Sequence, residues 1–256
     1  MSVTTSPATA VATTSPATAV ATPVHFCTFG SVPDYSRALQ TLAAEARDSG
    51  YFASITVYTQ ETLPAKSRER RFMEANRRGY GYWIWKSILL EDMLEKIPEG
   101  DIVLYADAGC GISTTPAARA NMAAWVSDCL THPTHRLSFQ MGHLAEVWTK
   151  ADVFTALNAT ADEFTKTGQH IGGIQMYQNT PENRRFLQTY KAALAADNYH
   201  YVTDAPSRVP NPACYRDHRH DQSILSLLFK IHGSANRVDH WQDPDYPVMA
   251  LRRRRG

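Results

Sequence analysis

The residues with the richest chemistry lie close together near position 80. Residues 79–86 read Gly-Tyr-Gly-Tyr-Trp-Ile-Trp-Lys, which places four aromatic residues, two glycines and a lysine in one short stretch. Lys86 lies in the first turn of a predicted helix, where a cation opposes the helix dipole and a bound anion would compensate for it. The stretch predicts a site for a flat polar ligand and a phosphate. The alternative is that Trp83 and Trp85 only anchor the helix in the core.

A second chemical group is the single carboxylate of Asp107, which stands where the predicted strand Asp101–Tyr105 ends. An unpaired buried carboxylate is costly, so Asp107 is expected to meet a metal, a donor group or water. A carboxylate and phosphate oxygens together suit Mg²⁺ or Mn²⁺. The candidates for a further ligand are His232, Asp239 and His240, of which we expect His240 to bind the ion. The alternative is an aspartate that only caps a turn or the next helix.

A third group combines two imidazoles, a guanidinium and a carboxylate in residues 218–221, at the start of an apolar helix. Asp221 and His220 are the predicted catalytic residues, because such groups suit general-base work on a hydroxyl. Capping of the helix by Asp221 is the alternative. Gly172 and Gly173 enter a predicted strand, and they indicate either close approach by a sugar or a simple turn.

The elements that position these groups alternate between strand and helix from Val24 onward. The apolar patterns predict strands at Val24–Phe29, Ser54–Thr59, Asp101–Tyr105, Arg136–Met141 and Ile171–Tyr177. They predict helices at Asp34–Asp48, Lys66–Arg78, Ser87–Ile97, Pro116–Leu130, Ala151–Asn158, Pro181–Ala196 and His220–His232.

This alternation predicts an α/β fold, with a mainly parallel central sheet covered by helices on both faces. Ligands of such sheets bind beyond the carboxyl ends of the strands. Residues 28–31, Thr59 and Asp107 all lie at predicted strand ends, so we expect them on one rim of the sheet. Residues 198–217 are rich in proline and polar residues, and they predict a long loop that faces the acceptor as a lid.

Composition narrows the class of protein. The net charge is +1, and no apolar stretch approaches the roughly 20 residues that span a bilayer. We therefore expect no nucleic-acid partner and no transmembrane segment. The four cysteines have no metal-site spacing, which favours reduced thiols and a cytoplasmic location.

The chain divides into three predicted segments. Residues 1–22 contain one nonapeptide twice, at 4–12 and 13–21, and its Thr, Ser, Pro and Ala predict a disordered tail. Residues 23–246 are predicted to form one domain. Residues 247–256 form a second tail with Arg252–Arg255, read either as a solvated end or as a weak contact to an anionic surface.

Taken in order, these pieces resemble the GT-A-fold glycosyltransferases, in particular small sugar transferases of large DNA viruses and bacterial polysaccharide clusters. The resemblance covers roughly 24–240. The residues that carry it lie in the segments Phe26–Ser31, Gly79–Lys86, Leu104–Gly109, Trp148–Phe154, Gly172–Gln175 and Arg219–Ser223.

The resemblance implies a single GT-A-like (Rossmann-like) domain that moves a sugar, a hexose, from a nucleotide-sugar donor to a hydroxyl of a glycan or other acceptor. Asp107 and His240 would hold Mn²⁺ or Mg²⁺, Lys86 would approach the donor phosphates, and Asp221 would be the favoured base. The usual Asp-x-Asp of the family is replaced here by Tyr-Ala-Asp-Ala-Gly at 105–109. The donor-binding residues implied are Thr28, Phe29, Ser31, Tyr58, Tyr82, Trp85, Lys86, Gly172 and Gly173.

Two alternatives remain open at the level of sequence. One is a non-catalytic relative that binds nucleotide sugars or carbohydrates, which the incomplete metal motif favours. The other is a metal-dependent hydrolase or nucleotidyltransferase, built from His218, His220, Asp221 and His240.

Overall fold

A computed structural model describes residues 22–240 and 242–251. The predicted tail 1–22 lies outside the described residues except for Thr22, and Arg252–Arg255 lie outside them as well. The strands are β1 Val24–Phe29, β2 Ser54–Tyr58, β3 Ile102–Ala106, β4 Gly111–Ile112, β5 Arg136–Leu144, β6 Gly168–His170, β7 Ile174–Gln178, β8 Ala235–Val238 and β9 Val248–Met249.

Helices follow most of these strands. They are α1 Ser36–Ser49, α2 Ser67–Ala75, the short turn α3 Gly79–Tyr82, α4 Trp85–Lys96, α5 Pro116–Thr131, α6 Ala145–Trp148, α7 Ala151–Ala156, α8 Asp162–Thr165, α9 Pro181–Tyr199 and α10 His220–His232, with a 3₁₀ turn at His200–Val202.

The main sheet runs in the order β2, β1, β3, β7 and β5, and both β6 and β8 also pair with β5. Strands β1, β2, β3, β5 and β8 run in one direction, whereas β6 and β7 run in the other. The sheet of the described residues is therefore mainly parallel, with an antiparallel strand between β3 and β5.

Helices cover both faces of this sheet. Side chains alternate between the two faces along each strand, so a strand with apolar residues throughout needs helices on both sides. Val103 and Tyr105 of β3 pack in one hydrophobic cluster with α4, α9 and α10. Leu104 of the same strand packs in a second cluster with α1 and α5. The predicted α/β architecture, with helices on both faces, is confirmed.

The carboxyl ends of β1, β2 and β3 form one rim, since β2 and β3 each pair with β1 in parallel. A break between two strands also lies at this rim. The predicted strand Ile171–Tyr177 begins only at Ile174, as β7. Strands β6 and β7 both run antiparallel to β5 and are separated by residues 171–173. The backbone N–H of Asp107 donates to Gly173 O at 2.9 Å, so the break meets the end of β3.

The predicted helix Lys66–Arg78 ends at Ala75, and the aromatic run that follows is a left-handed turn. Residues 79–83 all have φ between 48° and 83°. Tyr80, Tyr82 and Trp83 are not glycines, and this conformation costs roughly 1–2 kcal/mol for each such residue. Packing holds the turn, and the Trp85 indole N–H donates to Gly79 O at 2.9 Å.

Three further features bear on the sequence predictions. Val248 is buried and pairs with β4, so the packed chain continues beyond the domain end predicted at 246. Cys27, Cys110, Cys129 and Cys214 form no disulfide. None of the helices in the described part of the chain has the length and apolarity needed to cross a bilayer.

Gly81→Ala should destabilise the fold more than Gly50→Ala. Both glycines have positive φ, 83° and 70°, but a Cβ at Gly81 would lie 2.7 Å from Met73 Cα, whereas nothing lies within 4 Å of one at Gly50. We expect Gly50→Ala to cost about 1–2 kcal/mol and Gly81→Ala clearly more, as free energies of unfolding in urea. Equal losses would show that the turn moves freely away from α2.

Candidate active site

A cavity of about 1460 Å³ opens at the rim of the sheet, beside the ends of β1 and β3. Its walls combine aromatic rings with the loops that follow these two strands. The predicted site residues that line it are Phe29, Ser31, Trp85, Asp107 and Gly173. Its other charged and aromatic residues are Asp34, Tyr35, Glu74, Arg77, Arg78, Tyr80, Trp83 and Asp239.

Lys86 lies beneath this cavity in the first turn of α4, and its residue is only 3% exposed. Its Nζ donates to Gly172 O at 2.9 Å, and it lies 3.1 Å from Asp221 Oδ2 and 3.3 Å from Asp107 Oδ1. Burial by itself lowers the pKa of Lys86, but the two carboxylates raise it above its ordinary value. Lys86 is therefore an ammonium that bridges two carboxylates.

Asp107 is the member of this trio that reaches the cavity, and its side chain is 42% exposed. Its Oδ1 accepts a hydrogen bond from the Tyr105 hydroxyl and faces Lys86. Burial, and then the charge of Asp107, raise the pKa of Tyr105 well above its ordinary value. The phenol therefore keeps its proton and orients the carboxylate.

Asp221 lies in the first turn of α10 behind Lys86, with a side chain that is 5% exposed. It does not line the cavity. Its contact with Lys86 is an ion pair without the alignment of a hydrogen bond, and Oδ2 has no hydrogen-bond partner among the described residues. Burial raises the pKa of Asp221 to about 6, although Lys86 acts in the opposite direction.

Buried amides hold the backbone that Lys86 binds. The Gly172 N–H donates to Gln222 Oε1 at 3.1 Å, and Gln175 Nε2 donates to Gly172 O at 3.0 Å. The Tyr177 hydroxyl in turn donates to Gln175 Oε1 at 2.8 Å. The carbonyl that receives the ammonium therefore also accepts from Gln175, and Gln222 holds the N–H of the same residue.

The two glycines leave room for the two carboxylates of the trio. A Cβ at Gly173 would lie 2.8 Å from Asp107 Oδ2, and one at Gly172 would lie 3.2 Å from Asp221 Oδ2. The close approach that the sequence predicted for a sugar is made here by side chains of the same chain.

Besides Lys86 and Gly172, three of the implied donor-binding residues lie away from the cavity lining. Tyr58 is buried, and its hydroxyl donates to Asp92 of α4. Thr28 is buried as well. The Tyr82 hydroxyl donates to Asp204 Oδ2 at 2.9 Å. A role for these three in donor binding stays a prediction.

His220 is neutral and anchors a loop. Its ring packs against Tyr82 and Trp83, with centroids 5.0 and 5.6 Å away, and its Nδ1–H donates to Val202 O at 2.9 Å. Burial lowers its pKa. The side chain does not line the cavity, so its predicted catalytic role stays a prediction.

The predicted lid is tied to the edge of the cavity. Beyond the 3₁₀ turn, residues 203–219 carry no regular secondary structure. Lys150 Nζ donates to His200 O at 2.6 Å and to Ala205 O at 3.1 Å. Arg78, on the cavity wall, donates to Asp204 Oδ1 at 2.7 Å.

The residues present do not assemble into a metal site. Among the described residues, no group of three or more His, Cys, Asp and Glu side chains is placed to hold a metal ion. The predicted ligand His240 is exposed and lies against the Tyr246 ring, and Asp239 lines the cavity instead. One oxygen of Asp107 already faces an ammonium. The metal assigned to Asp107 and His240 therefore remains untested.

The hydrolase alternative is weakened in the same way. The rings of His218 and His220 lie 5.3 Å apart, but each imidazole hydrogen-bonds to a backbone carbonyl. Burial lowers the pKa of both. They serve as anchors of the loop rather than as ligands of a shared ion.

Sequence reasoning gave no role to three residues of the cavity wall: Arg77, Arg78 and Gln222. The first two directly precede the glycine and aromatic run, and this adjacency was a usable signal. Gln222 follows Asp221 in the chain, so helix geometry turns it to a different direction.

No protein-family model and no curated protein sequence matches this chain. Among solved structures, it is similar to mouse xyloside xylosyltransferase 1, with 13% identity, a TM-score of 0.45, and coverage of 86% of this chain and 87% of that one. It is also similar to the galactosyltransferase LgtC, with 15% identity, a TM-score of 0.43, and coverage of 83% and 72%.

A third similar structure is the bifunctional glycosyltransferase WbbM, with 10% identity, a TM-score of 0.47, and coverage of 88% of this chain and 40% of that one. All three are glycosyltransferases, the class that the sequence resembles. Because every TM-score is below 0.5, the function proposed below is inferred from the residues of this chain.

Lys86→Met should cost about 3–5 kcal/mol of stability, because it leaves two carboxylates near the cavity floor without their cation. Adding Asp221→Asn to Lys86→Met should recover part of this loss. The measurement is urea unfolding of the two single variants and the double variant at neutral pH. Strictly additive losses would show that Lys86 and Asp221 do not interact.

The raised pKa of Asp221 predicts a pH dependence of stability. Its pKa is about 6 in the folded chain against an ordinary 3.8, so the folded state holds the proton more tightly. Ionisation of Asp221 therefore costs stability as the pH rises from about 4 to about 6, by roughly 1–3 kcal/mol.

The test compares the stability of the wild-type chain with that of Asp221→Asn at several pH values. The wild-type stability, relative to the variant, should fall between pH 4 and 6 and then level off. A difference that does not change with pH would contradict the raised pKa. Other groups that titrate, such as His170, cancel in this comparison.

Proposed function

We propose that this chain transfers a sugar, a hexose, from a nucleotide-sugar donor to a hydroxyl of a glycan or other acceptor. The observation that carries this proposal is the rim cavity with Asp107 on its floor, backed by Lys86. Five of the six segments that resemble the GT-A-fold glycosyltransferases contribute to its lining, all but Trp148–Phe154, although they are far apart in the sequence.

The size and lining of the cavity support a two-substrate reaction. Its volume of about 1460 Å³ exceeds the roughly 300–1,000 Å³ of ordinary ligand pockets, so a donor and an acceptor fit together. The nucleotide would lie against the loop that begins at Phe29, where Tyr80 and Trp85 flank the Phe29 ring at 5.9 and 4.1 Å. The acceptor would enter beside the loop 203–219.

Asp107 is the carboxylate of the trio that could meet the reacting groups. A base must come within hydrogen-bond reach of the hydroxyl that it deprotonates. Asp107 is exposed to the cavity, whereas Asp221 is buried behind Lys86. In this proposal Asp107 accepts the proton of the acceptor hydroxyl, and Lys86 holds the Asp107 carboxylate in place.

Asp221, the base favoured from the sequence, would act indirectly. Its charge balances the buried ammonium, and the ammonium in turn holds Asp107. No step of the proposed reaction passes through a metal ion. Manganese, and a part in polysaccharide biosynthesis, remain predictions of the sequence resemblance.

The test is release of UDP or GDP from a panel of nucleotide sugars, measured with and without hydroxyl acceptors. Asp107→Asn should lower turnover by roughly 100-fold or more, since a general base contributes 10²–10⁴-fold. Donor affinity should stay within a few-fold. Asp162→Asn is the matched control. Asp162 is an exposed carboxylate at the start of α8, and it pairs with Lys166 just beyond the end of that helix.

Three outcomes separate the alternatives. Turnover that depends on Asp107 supports sugar transfer. Donor binding without turnover for every acceptor favours the non-catalytic relative. Phosphatase activity that survives Asp107→Asn but is lost with His218 would favour the hydrolase.

A further inference from the structure

The trio of Lys86, Asp107 and Asp221 does not offer a free cation to the donor phosphates. A departing nucleoside diphosphate is anionic, and positive charge must stabilise it. Lys86 was the sequence-predicted contact, but its Nζ already faces three oxygens at 2.9–3.3 Å. One ammonium between two carboxylates leaves the trio with a net negative charge, which repels a diphosphate.

The basic side chains on the cavity wall are Arg77 and Arg78. Arg78 is engaged, because its guanidinium lies 2.7 Å from Asp204 Oδ1 and 3.8 Å from Asp217 Oδ2. Arg77 is exposed, and its guanidinium makes no ion pair or hydrogen bond with a described residue. Four acidic residues share the wall with these two arginines.

The backbone around Arg77 is held firmly. Arg77 lies between the end of α2 and the left-handed turn, and its carbonyl accepts from Tyr80 N–H at 3.3 Å. Gly81 N–H donates to Asn76 O at 2.7 Å on the other side. The Tyr80 ring stacks 5.9 Å from Phe29. The turn therefore connects Arg77 to the loop where the nucleotide is expected.

We propose that Arg77 binds the phosphates of the nucleotide donor. This inference rests on the proposed function and replaces Lys86 with Arg77 as the phosphate contact. The guanidinium donates two parallel hydrogen bonds to phosphate oxygens, a geometry that an ammonium does not match. The strained residues 79–83 follow Arg77 closely in the chain, and strain of this kind is retained where it serves to position a functional group.

The experiment measures binding of UDP, GDP, the matching nucleosides and inorganic pyrophosphate by titration calorimetry. Arg77→Ala should lower the affinity for the nucleoside diphosphate that the wild-type chain binds by roughly 10- to 100-fold, which is the effect of losing a charged hydrogen bond. Affinity for the nucleoside should not change. Arg77→Lys should lie in between, since a single point charge remains.

Arg71→Ala is the matched control, because Arg71 is an exposed arginine of α2 that does not line the cavity. It should leave all affinities unchanged. Each titration is run with Mn²⁺ and with EDTA. Nucleoside diphosphate affinity of Arg77→Ala within twofold of the wild type, in either condition, overturns the proposal.

The outcomes also separate this inference from the proposed function. If the wild-type chain turns over a nucleotide sugar and Arg77→Ala keeps full diphosphate affinity, only the role of Arg77 is refuted and the proposed function stands. A wild-type chain that binds none of the probes and releases no nucleotide refutes both. A selective loss of diphosphate affinity supports Arg77 even where the acceptor is unidentified.

Discussion

The site depends on one interaction, the contact of the buried Lys86 ammonium with two carboxylates. A buried ammonium is tolerated only where counter-charges and hydrogen bonds replace water. Here these come from Asp107 directly after β3, from Asp221 of α10, and from the Gly172 carbonyl in the break between β6 and β7. The same contact ties the helix α4 to three other parts of the fold.

This arrangement divides the two acids by accessibility. Asp107 is placed at the cavity and Asp221 behind it, so one can face a substrate while the other sets the charge of the lysine. Burial raises the pKa of Asp221, and Lys86 only partly opposes that shift. The exposed carboxylate of Asp107 therefore lies at the cavity, and the buried pair of Lys86 and Asp221 lies behind it.

The cavity wall depends on a conformation that the backbone does not adopt readily. The left-handed residues 79–83 place Tyr80 and Trp83 on the cavity, and glycine at position 81 lets the turn pack against Met73. Rings that the sequence read either as ligand contacts or as helix anchors line the cavity. Trp85 lines the cavity and also bonds back to Gly79.

The sequence by itself determined the order of five strands and seven helices and the rim on which Phe29 and Asp107 meet, but not the short strands β4, β6, β8 and β9 or the short helices α3, α6 and α8. Hydrophobic periodicity and strand ends are local properties, so they can be read along the chain. Two features were not visible in the sequence: the break at Gly172 and Gly173, and the left-handed turn. The break packs against Asp107 and Asp221, and the turn packs against Met73, so both depend on residues distant from the glycines or outside the local pattern.

Only the tertiary structure decided which charged group faces the cavity. Lys86, Asp107 and Asp221 were each recognised from local spacing, but their division into a buried bridge, an exposed acid and a buried acid results from contacts between distant segments. Arg77 was passed over for the same reason. The electrostatic role of a charge depends on which partners surround it in three dimensions, and sequence spacing does not contain that information.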